Sequence, residues 1–289
     1  MSEVLRALGV LCEPPRSEHA RVAAALELPG APDEGEHTDL FLFQLYPYAS
    51  VYLGAEGMMG GEARDRVAGF WSALGLLPPA EPDHLAALLG LAAWLADRER
   101  DQPDPARARF LRHARRALLH EHLLPWLPPF LAKLDELGPP FYASWGRLLT
   151  AALADQIEEL GEPESLPVHL RLAPSLEHPA EAGGDAFLNQ LLAPVRTGLV
   201  LARDDLVRAA ADLNLGRRLA ERRFVLRALL AQDAPATLSW IGRLAGEAAA
   251  TRRCTTVVER FWYQRVQAAA ALLAEVGVAA ARQEVGHAG

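Results

Sequence analysis

The chain has 289 residues, of which 51% are hydrophobic and 23% are charged, and this composition excludes an intrinsically disordered protein. No run of about 18 or more uncharged apolar residues occurs, so the sequence offers no membrane span. The formal net charge of −8 disfavours nucleic acid as the main partner, because phosphate binding needs a net basic surface. The charge is also uneven, at −9 for residues 1–160 and +1 for residues 161–289, so the first half suits a cationic partner.

The N-terminal segment lacks the pattern of an export signal. Glu3 stands where a secretory signal carries basic residues, and the short apolar run that follows ends at Glu13 and two prolines. Cys12 and Cys254 have no CxxC spacing, which favours two reduced thiols over structural zinc, haem attachment or a redox pair. We therefore expect a cytoplasmic protein.

Apolar residues recur at three- and four-residue spacing along most of the chain, and no alternating run typical of strands is present. The sequence therefore predicts an all-α fold. Prolines divide the pattern, since proline is tolerated in a first turn and breaks a helix interior. The segments expected to form a helix or a helix pair in the first half are residues 19–28, 38–53, 61–76, 83–99, 105–137 and 141–160.

The helical period stops between residues 161 and 184, where four prolines precede a Gly-Gly pair. We interpret this stretch as a linker between a helical domain of residues 1–160 and a C-terminal helical extension of residues 185–289. In the extension, the arginines of LGRRLAERRF (215–224) predict one basic helix, which is either a solvated face or a docking surface for an acidic partner. These arginines are Arg217, Arg218, Arg222 and Arg223.

The stretch Glu81-Pro82-Asp83-His84 directly precedes an apolar helical run. Asp83 is predicted to be the N-cap residue, because its carboxylate can accept the free amides of the first turn. His84 would then lie at the positive end of the helix, where a proton is disfavoured. Asp83 and His84 alone do not make a zinc pair, since adjacent helical residues point about 100° apart.

The other histidines form no recognisable metal motif. His113 and His120 lie on one helix face, whereas His120 and His122 are not an i,i+4 pair and do not match HExxH. Walker, GxGxxG and GxSxG motifs are absent, so familiar nucleotide binding and hydrolase chemistry have no support. No cofactor or metal is expected.

Four segments together resemble a known family. They are YPYASVYLG (46–54), GFWSALGL (69–76), EPDHLAALLGLAAWL (81–95) and HLLPWLPPFLAKL (122–134), and their order and spacing are similar to those of the TorD/DmsD/NarJ family of cytoplasmic chaperones for molybdoenzymes. The resemblance spans about residues 35–155 and implies a TorD-like helical bundle. It also implies binding of the twin-arginine signal peptide or N-terminal segment of a molybdopterin oxidoreductase catalytic subunit, which holds back export until the cofactor is inserted.

The resemblance also implies roles for particular residues. Glu81, Pro82, Asp83 and His84 match the family's hinge motif, which is implicated in signal-peptide recognition without catalysis. The second motif, which packs helices beside the peptide groove, is matched by Leu123, Trp126, Pro128 and Phe130.

Such a peptide has a cationic head and an apolar stretch, so its receptor needs carboxylates beside apolar and aromatic side chains. The candidate acids are Glu81, Asp83, Asp39, Asp135 and Glu136, and the candidate groove residues are Tyr46, Tyr48, Leu85, Leu88, Trp126 and Phe130. Asp83→Ala and His84→Ala are expected to weaken peptide binding more than stability.

Two alternatives stay open on the sequence. One is a metal-dependent helical enzyme that uses Asp83, His84, Glu121 and the histidine cluster. The other is a general helical scaffold for protein interactions.

Overall fold

The structure is a computed structural model, and it describes residues 1–216, 220–252 and 254–287. The all-α prediction is confirmed, because the regular structure of the described residues is helical. Tyr48 and His84 also form an isolated antiparallel β-bridge. None of the described helices combines the length and apolar composition that a membrane span requires.

The chain divides into two compact units. Unit 1 comprises Met1–Ser50 and Met59–Arg171, and unit 2 comprises Val51–Met58 and the chain from Leu172 onward. The division predicted from the sequence, into a helical domain of residues 1–160, a linker of residues 161–184 and an extension of residues 185–289, stays a prediction.

Unit 1 contains nine α-helices within its described residues, and α4 crosses its boundary. Two π-helical segments, Thr38–Gln44 and Leu118–Leu123, directly continue α3 and α7. The helices are α1 (Ser2–Leu11), α2 (His19–Ala25), α3 (Glu34–His37), α4 (Ala49–Leu53), α5 (Gly61–Ala73), α6 (Leu85–Arg100), α7 (Pro105–Ala117), α8 (Leu127–Leu137), α9 (Pro140–Leu160) and α10 (Val168–Arg171).

Two of the predicted segments form a helix pair and not a single helix, and proline explains both breaks. In the 38–53 segment, the π-helical turn ends with the Leu45 N–H bonded to the Leu40 carbonyl, and Leu45 has left helical geometry two residues before Pro47. In the 105–137 segment, the Leu124 N–H bonds the Leu119 carbonyl just before Pro125. Proline lacks an amide proton and restricts the residue before it, so neither helix continues.

The core of unit 1 is built on large aromatic side chains. Phe41 packs edge-on against Tyr142 at a centroid distance of 5.0 Å and against Trp145 at 6.1 Å. Trp126 packs against Phe130 at 5.4 Å. The indole N–H of Trp145 donates to the carbonyl of Leu8 at 3.0 Å, which ties α9 to α1. Sequence reasoning left α1 unassigned, although Leu5, Leu8 and Leu11 have the spacing of a buried face.

A buried arginine connects three helices of unit 1. Arg115 on α7 donates to Glu99 on α6 at 2.6 Å and to Glu159 and Gln156 on α9 at 2.9 and 3.0 Å. Charged groups in the interior are tolerated only when they are paired and hydrogen-bonded. This network therefore fixes which faces of α6, α7 and α9 meet.

Unit 2 has its own apolar core, which includes Trp240, Leu226 and Leu206. Its segment of residues 51–58, which contains the end of α4, is fixed locally: the Arg196 Nε–H donates to the Ala55 carbonyl at 2.9 Å, and Gly57 lies against the backbone of Leu192 and Ala193. The helices are α11 (Pro179–Ala182), α12 (Gly184–Leu191), α13 (Pro194–Thr197), α14 (Arg203–Asp212), α15 (Arg222–Gln232), α16 (Ala234–Thr251) and α17 (Val257–His287).

The predicted basic helix of residues 215–224 is described only in part. The prediction of one helix over this range is wrong: Leu215, Gly216 and Ala220 are not helical, Glu221 is the N-cap, and α15 begins at Arg222 and Arg223. Arg217 and Arg218 lie outside the described residues.

Leu88→Ala should lower the free energy of unfolding of unit 1 by about 3 kcal/mol, because removing a fully buried leucine side chain loses its transfer free energy and leaves a cavity. Leu77→Ala is the matched control, since Leu77 is 91% exposed, and should stay within about 0.5 kcal/mol of the parent. Urea denaturation followed by circular dichroism measures both, and equal losses in the two variants would contradict the core assignment.

Candidate binding corner at residues 46–48 and 81–84

Two loops of unit 1 meet at the start of α6. The Leu85 N–H donates to the Pro47 carbonyl at 2.8 Å, and the Ala49 N–H donates to the Asp83 carbonyl at 3.0 Å. These two bonds form the antiparallel bridge between Tyr48 and His84. Residues 46–48 and 81–84, which we call the corner, are therefore held together by backbone hydrogen bonds.

Asp83 is a buried structural residue of the corner. Its side chain is 2% exposed, and its carboxylate accepts the Ser50 N–H at 3.1 Å. The prediction that Asp83 is the N-cap of the helix is wrong, because the helix begins one residue later than expected and the carboxylate points to the neighbouring loop. Ala49 and Ser50 are thus bound by the backbone and side chain of the same aspartate.

His84 is the N-cap of α6. Its backbone is extended, and Nδ1 accepts the Ala86 N–H at 3.1 Å. Because Nδ1 accepts this bond, the proton of the neutral ring is on Nε2. Burial lowers the pKa of His84, while the carboxylates of Glu81, Glu13 and Asp83 oppose the shift. The sequence also predicted that a proton on His84 is disfavoured, but it gave the helix start as the reason, whereas the main cause is burial.

Tyr48 and Glu81 form a hydrogen-bonded pair beside this histidine. The phenol of Tyr48 donates to Oε2 of Glu81 at 2.9 Å, and its ring packs edge-on against the His84 imidazole at a centroid distance of 4.8 Å. Glu81 is exposed, and Tyr48 is half-buried. Burial and the hydrogen bond to Glu81 raise the pKa of Tyr48, so the phenol is a proton donor at neutral pH.

Glu13 lies outside the corner in sequence but acts on His84, and sequence reasoning missed it. The ideal Cβ position at Gly9 lies 3.2 Å from the Ala86 carbonyl oxygen and 3.3 Å from Leu89 Cβ, so the end of α1 crosses closely over the first turn of α6. The Glu13 N–H continues this turn by bonding the Val10 carbonyl. The charge of Glu13 acts on His84 more strongly than that of Asp83, the preceding residue. The sequence signal for the packing of α1 on α6 was the short apolar spacing of Leu5, Leu8 and Leu11.

The predicted site residues fall into two groups. Glu81 is exposed, and His84, Tyr46 and Tyr48 are half-buried. The other group is buried and comprises Pro82, Asp83, Leu85, Leu88, Trp126 and Phe130. Direct contact of this second group with a peptide therefore requires a rearrangement of the core and stays a prediction.

The other candidate acids have different surroundings. Asp39 is exposed on the π-helical segment that follows α3. Asp135 pairs with Arg147 at 3.3 Å, and Glu136 pairs with Lys133 at 2.9 Å. These pairs do not include a corner residue, so participation of the three acids in a common site stays a prediction.

The histidines considered as metal ligands point to separate partners. His113 donates from Nδ1 to the Arg109 carbonyl at 2.7 Å, His120 Nε2 bonds the Gly161 carbonyl at 3.0 Å, and the His122 ring packs on Phe70 at 4.8 Å. Among the described residues, no three histidine, cysteine, aspartate or glutamate side chains are arranged to hold a metal ion.

His122 and His169 are two half-buried histidines of unit 1. Burial lowers the pKa of each to about 4, with further lowering at His169 from His122 and Arg66, and at His122 from Arg66. Both rings are therefore neutral near pH 7.

Residues 22–132 match a protein-family model described as the nitrate reductase delta subunit. The chain is also 35% identical over 113 residues to the Tat proofreading chaperone DmsD of Salmonella typhi, covering 37% of this chain and 50% of the relative. It is 33% identical over 114 residues to the chaperone protein TorD of Vibrio vulnificus, covering 36% and 51%. The chain thus spans about half the length of the curated relatives it matches. The predicted family resemblance is confirmed over these residues, which include the whole 46–48 and 81–84 corner.

Asp83→Asn should lower the free energy of unfolding by about 1 kcal/mol, because the Ser50 N–H exchanges a carboxylate acceptor for a neutral amide oxygen, which forms a weaker bond. Hydrogen exchange at Ala49 and Ser50 should accelerate together. Asp65→Asn is the control, since its side chain is 71% exposed. Unchanged stability and exchange in Asp83→Asn would contradict the structural role, and a large loss would revise the expectation that Asp83→Ala acts mainly on binding.

The free energy of unfolding should fall as pH is lowered from about 6.5 towards about 4, because the unfolded chain takes up protons at His122 and His169 that the folded chain excludes. The stability from these neutral rings is complete above their unfolded pKa and is lost as pH falls through this window. A His122→Gln, His169→Gln double variant should show a flatter profile between about pH 6.5 and 5, measured by urea denaturation. Parallel profiles for variant and parent would contradict the assignment.

Proposed function

We propose that this chain is a cytoplasmic maturation chaperone that binds the twin-arginine signal peptide or N-terminal segment of a molybdopterin oxidoreductase subunit. It would assist cofactor insertion and delay export, without catalysing a reaction itself. The observation that carries this proposal is the match of residues 22–132, which contain the corner, to the nitrate reductase delta subunit family model. The 33–35% identity to curated chaperones over 113–114 residues supports it.

The electrostatics of the corner support a cationic ligand. Glu81 and Glu13 bring two carboxylates to His84, and His84 is kept neutral by burial and by its cap bond to Ala86. No positive charge on the imidazole therefore competes with an incoming guanidinium. A guanidinium forms its strongest hydrogen bonds with carboxylates, in a two-pronged geometry.

The aromatic side chains support the apolar part of the same ligand. Tyr46 and Tyr48 are half-buried and flank Pro47, whose carbonyl is bonded to Leu85. Tyrosine offers an apolar ring and a polar end, which suits the junction between a cationic head and an apolar stretch. The bridge between Tyr48 and His84 holds this segment at the corner.

The buried motif residues have a supporting role in this proposal. Asp83 fixes the backbone of residues 49 and 50, and Leu85 and Leu88 anchor the first turns of α6 in the core. The backbone of Tyr48, Glu81 and His84 then has a fixed position before the peptide arrives. Such preorganisation reduces the entropy lost on binding.

A synthetic peptide with the twin-arginine leader of a candidate client should bind with micromolar or better affinity. Glu81→Gln and Glu13→Gln should each weaken binding about 3- to 10-fold, because each removes one carboxylate that faces a guanidinium. Isothermal titration calorimetry at low and moderate salt measures the affinities, and the losses should shrink at high salt.

Glu158→Gln is the matched control, because it makes the same charge change at an exposed position of α9. A leader with both arginines replaced by glutamine tests the ligand side. Equal affinity of this peptide and the native leader, or unchanged binding in both Glu81→Gln and Glu13→Gln, would contradict the proposed site.

A further inference from the structure

Tyr48 is held at the corner by three separate contacts. Its backbone belongs to the bridge with His84, its ring packs on the His84 imidazole at 4.8 Å, and its phenol donates to Glu81 at 2.9 Å. The backbone on either side is also tied, through the Pro47 carbonyl and the Ala49 N–H. The phenol oxygen therefore has a fixed place, set by the fold and not by Glu81.

Glu81, in contrast, is exposed, and its side chain has three rotatable bonds. A glutamate in this setting normally samples several rotamers, and holding it in one costs conformational entropy. The Tyr48 phenol restricts the carboxylate from one side by binding Oε2. Oε1 and the second lone pair of Oε2 are left to accept other donors.

The orientation of a carboxylate matters more for one cation than for the other. A guanidinium is planar and presents two parallel N–H groups, so it gains a second hydrogen bond only when both carboxylate oxygens face it. An ammonium group is a compact charge with three rotatable donors and gains little from a fixed carboxylate plane.

We propose that Tyr48 is a positioning residue that orients the Glu81 carboxylate and thereby makes the corner select arginine over lysine in the bound peptide. The proposal rests on the proposed function and specifies its ligand: a peptide whose cationic head is guanidinium and not merely positive. Tyr48 acts through Glu81, and its hydroxyl does not need to contact the peptide.

The substitution that isolates this role is Tyr48→Phe. Phenylalanine keeps the ring on His84 and the backbone bridge, and it removes only the hydroxyl that binds Glu81. Tyr263→Phe is the matched control, because it removes a hydrogen-bonded phenol in unit 2, where the hydroxyl accepts from Gln267 at 2.6 Å.

The experiment compares two peptides, the native leader with two arginines and the same leader with two lysines. The parent protein should bind the arginine peptide about 10-fold more tightly, as measured by calorimetry. Tyr48→Phe should reduce this ratio to about 2-fold, mainly by weakening the arginine peptide, and Tyr263→Phe should leave the ratio unchanged.

A double-mutant cycle separates positioning from a general structural effect. Once Glu81→Gln is in place, adding Tyr48→Phe should not change the ratio further, since the carboxylate that Tyr48 orients is gone. If Tyr48→Phe keeps the parental ratio, or lowers it equally with and without Glu81, the Tyr48 proposal is overturned while the chaperone proposal stands. If the parent binds neither peptide, the proposed function itself falls, and this inference falls with it.

Discussion

The corner depends on a short antiparallel bridge between two loops that are 36 residues apart in the chain. Two backbone hydrogen bonds, from Leu85 to Pro47 and from Ala49 to Asp83, form it, and the buried Asp83 carboxylate adds a third bond to Ser50. A bridge of this size is not stable alone in water. It persists because Leu85 and Leu88 anchor one side in the core of unit 1, while Pro47 and the π-helical turn before it set the direction of the other.

This arrangement separates the residues that hold the corner from those that a ligand can reach. Asp83 and the leucines of α6 are buried and bind the chain to itself, whereas Glu81 and His84, on either side of Asp83, are accessible. A turn produces this pattern: the His84 N–H bonds the Glu81 carbonyl at 3.3 Å, so the two residues between them, Pro82 and Asp83, are buried while Glu81 and His84 stand at its ends. The same four-residue stretch thus starts a helix, closes a bridge and presents two polar groups.

The fold was largely predictable from residue spacing, and the errors have local physical causes. The helical periodicity and the prolines identified most of the helices, and two segments form helix pairs that break at π-helical turns before Pro47 and Pro125. The N-cap was placed one residue early because aspartate is the stronger general capping residue. Asp83 instead binds the amide of Ser50, a partner 33 residues away that local propensity does not include.

The sequence by itself determined an all-α chain with an acidic first half, and the order of its motifs identified the family that it resembles. Those properties are set by the period of apolar residues, by composition and by short local patterns. The tertiary structure alone decided that Glu13 lies near His84, that Tyr48 binds Glu81, and that Trp126 and Phe130 are in the core. These relations depend on how distant segments pack, including the close crossing of α1 over α6 at Gly9, and no local pattern specifies which surfaces meet.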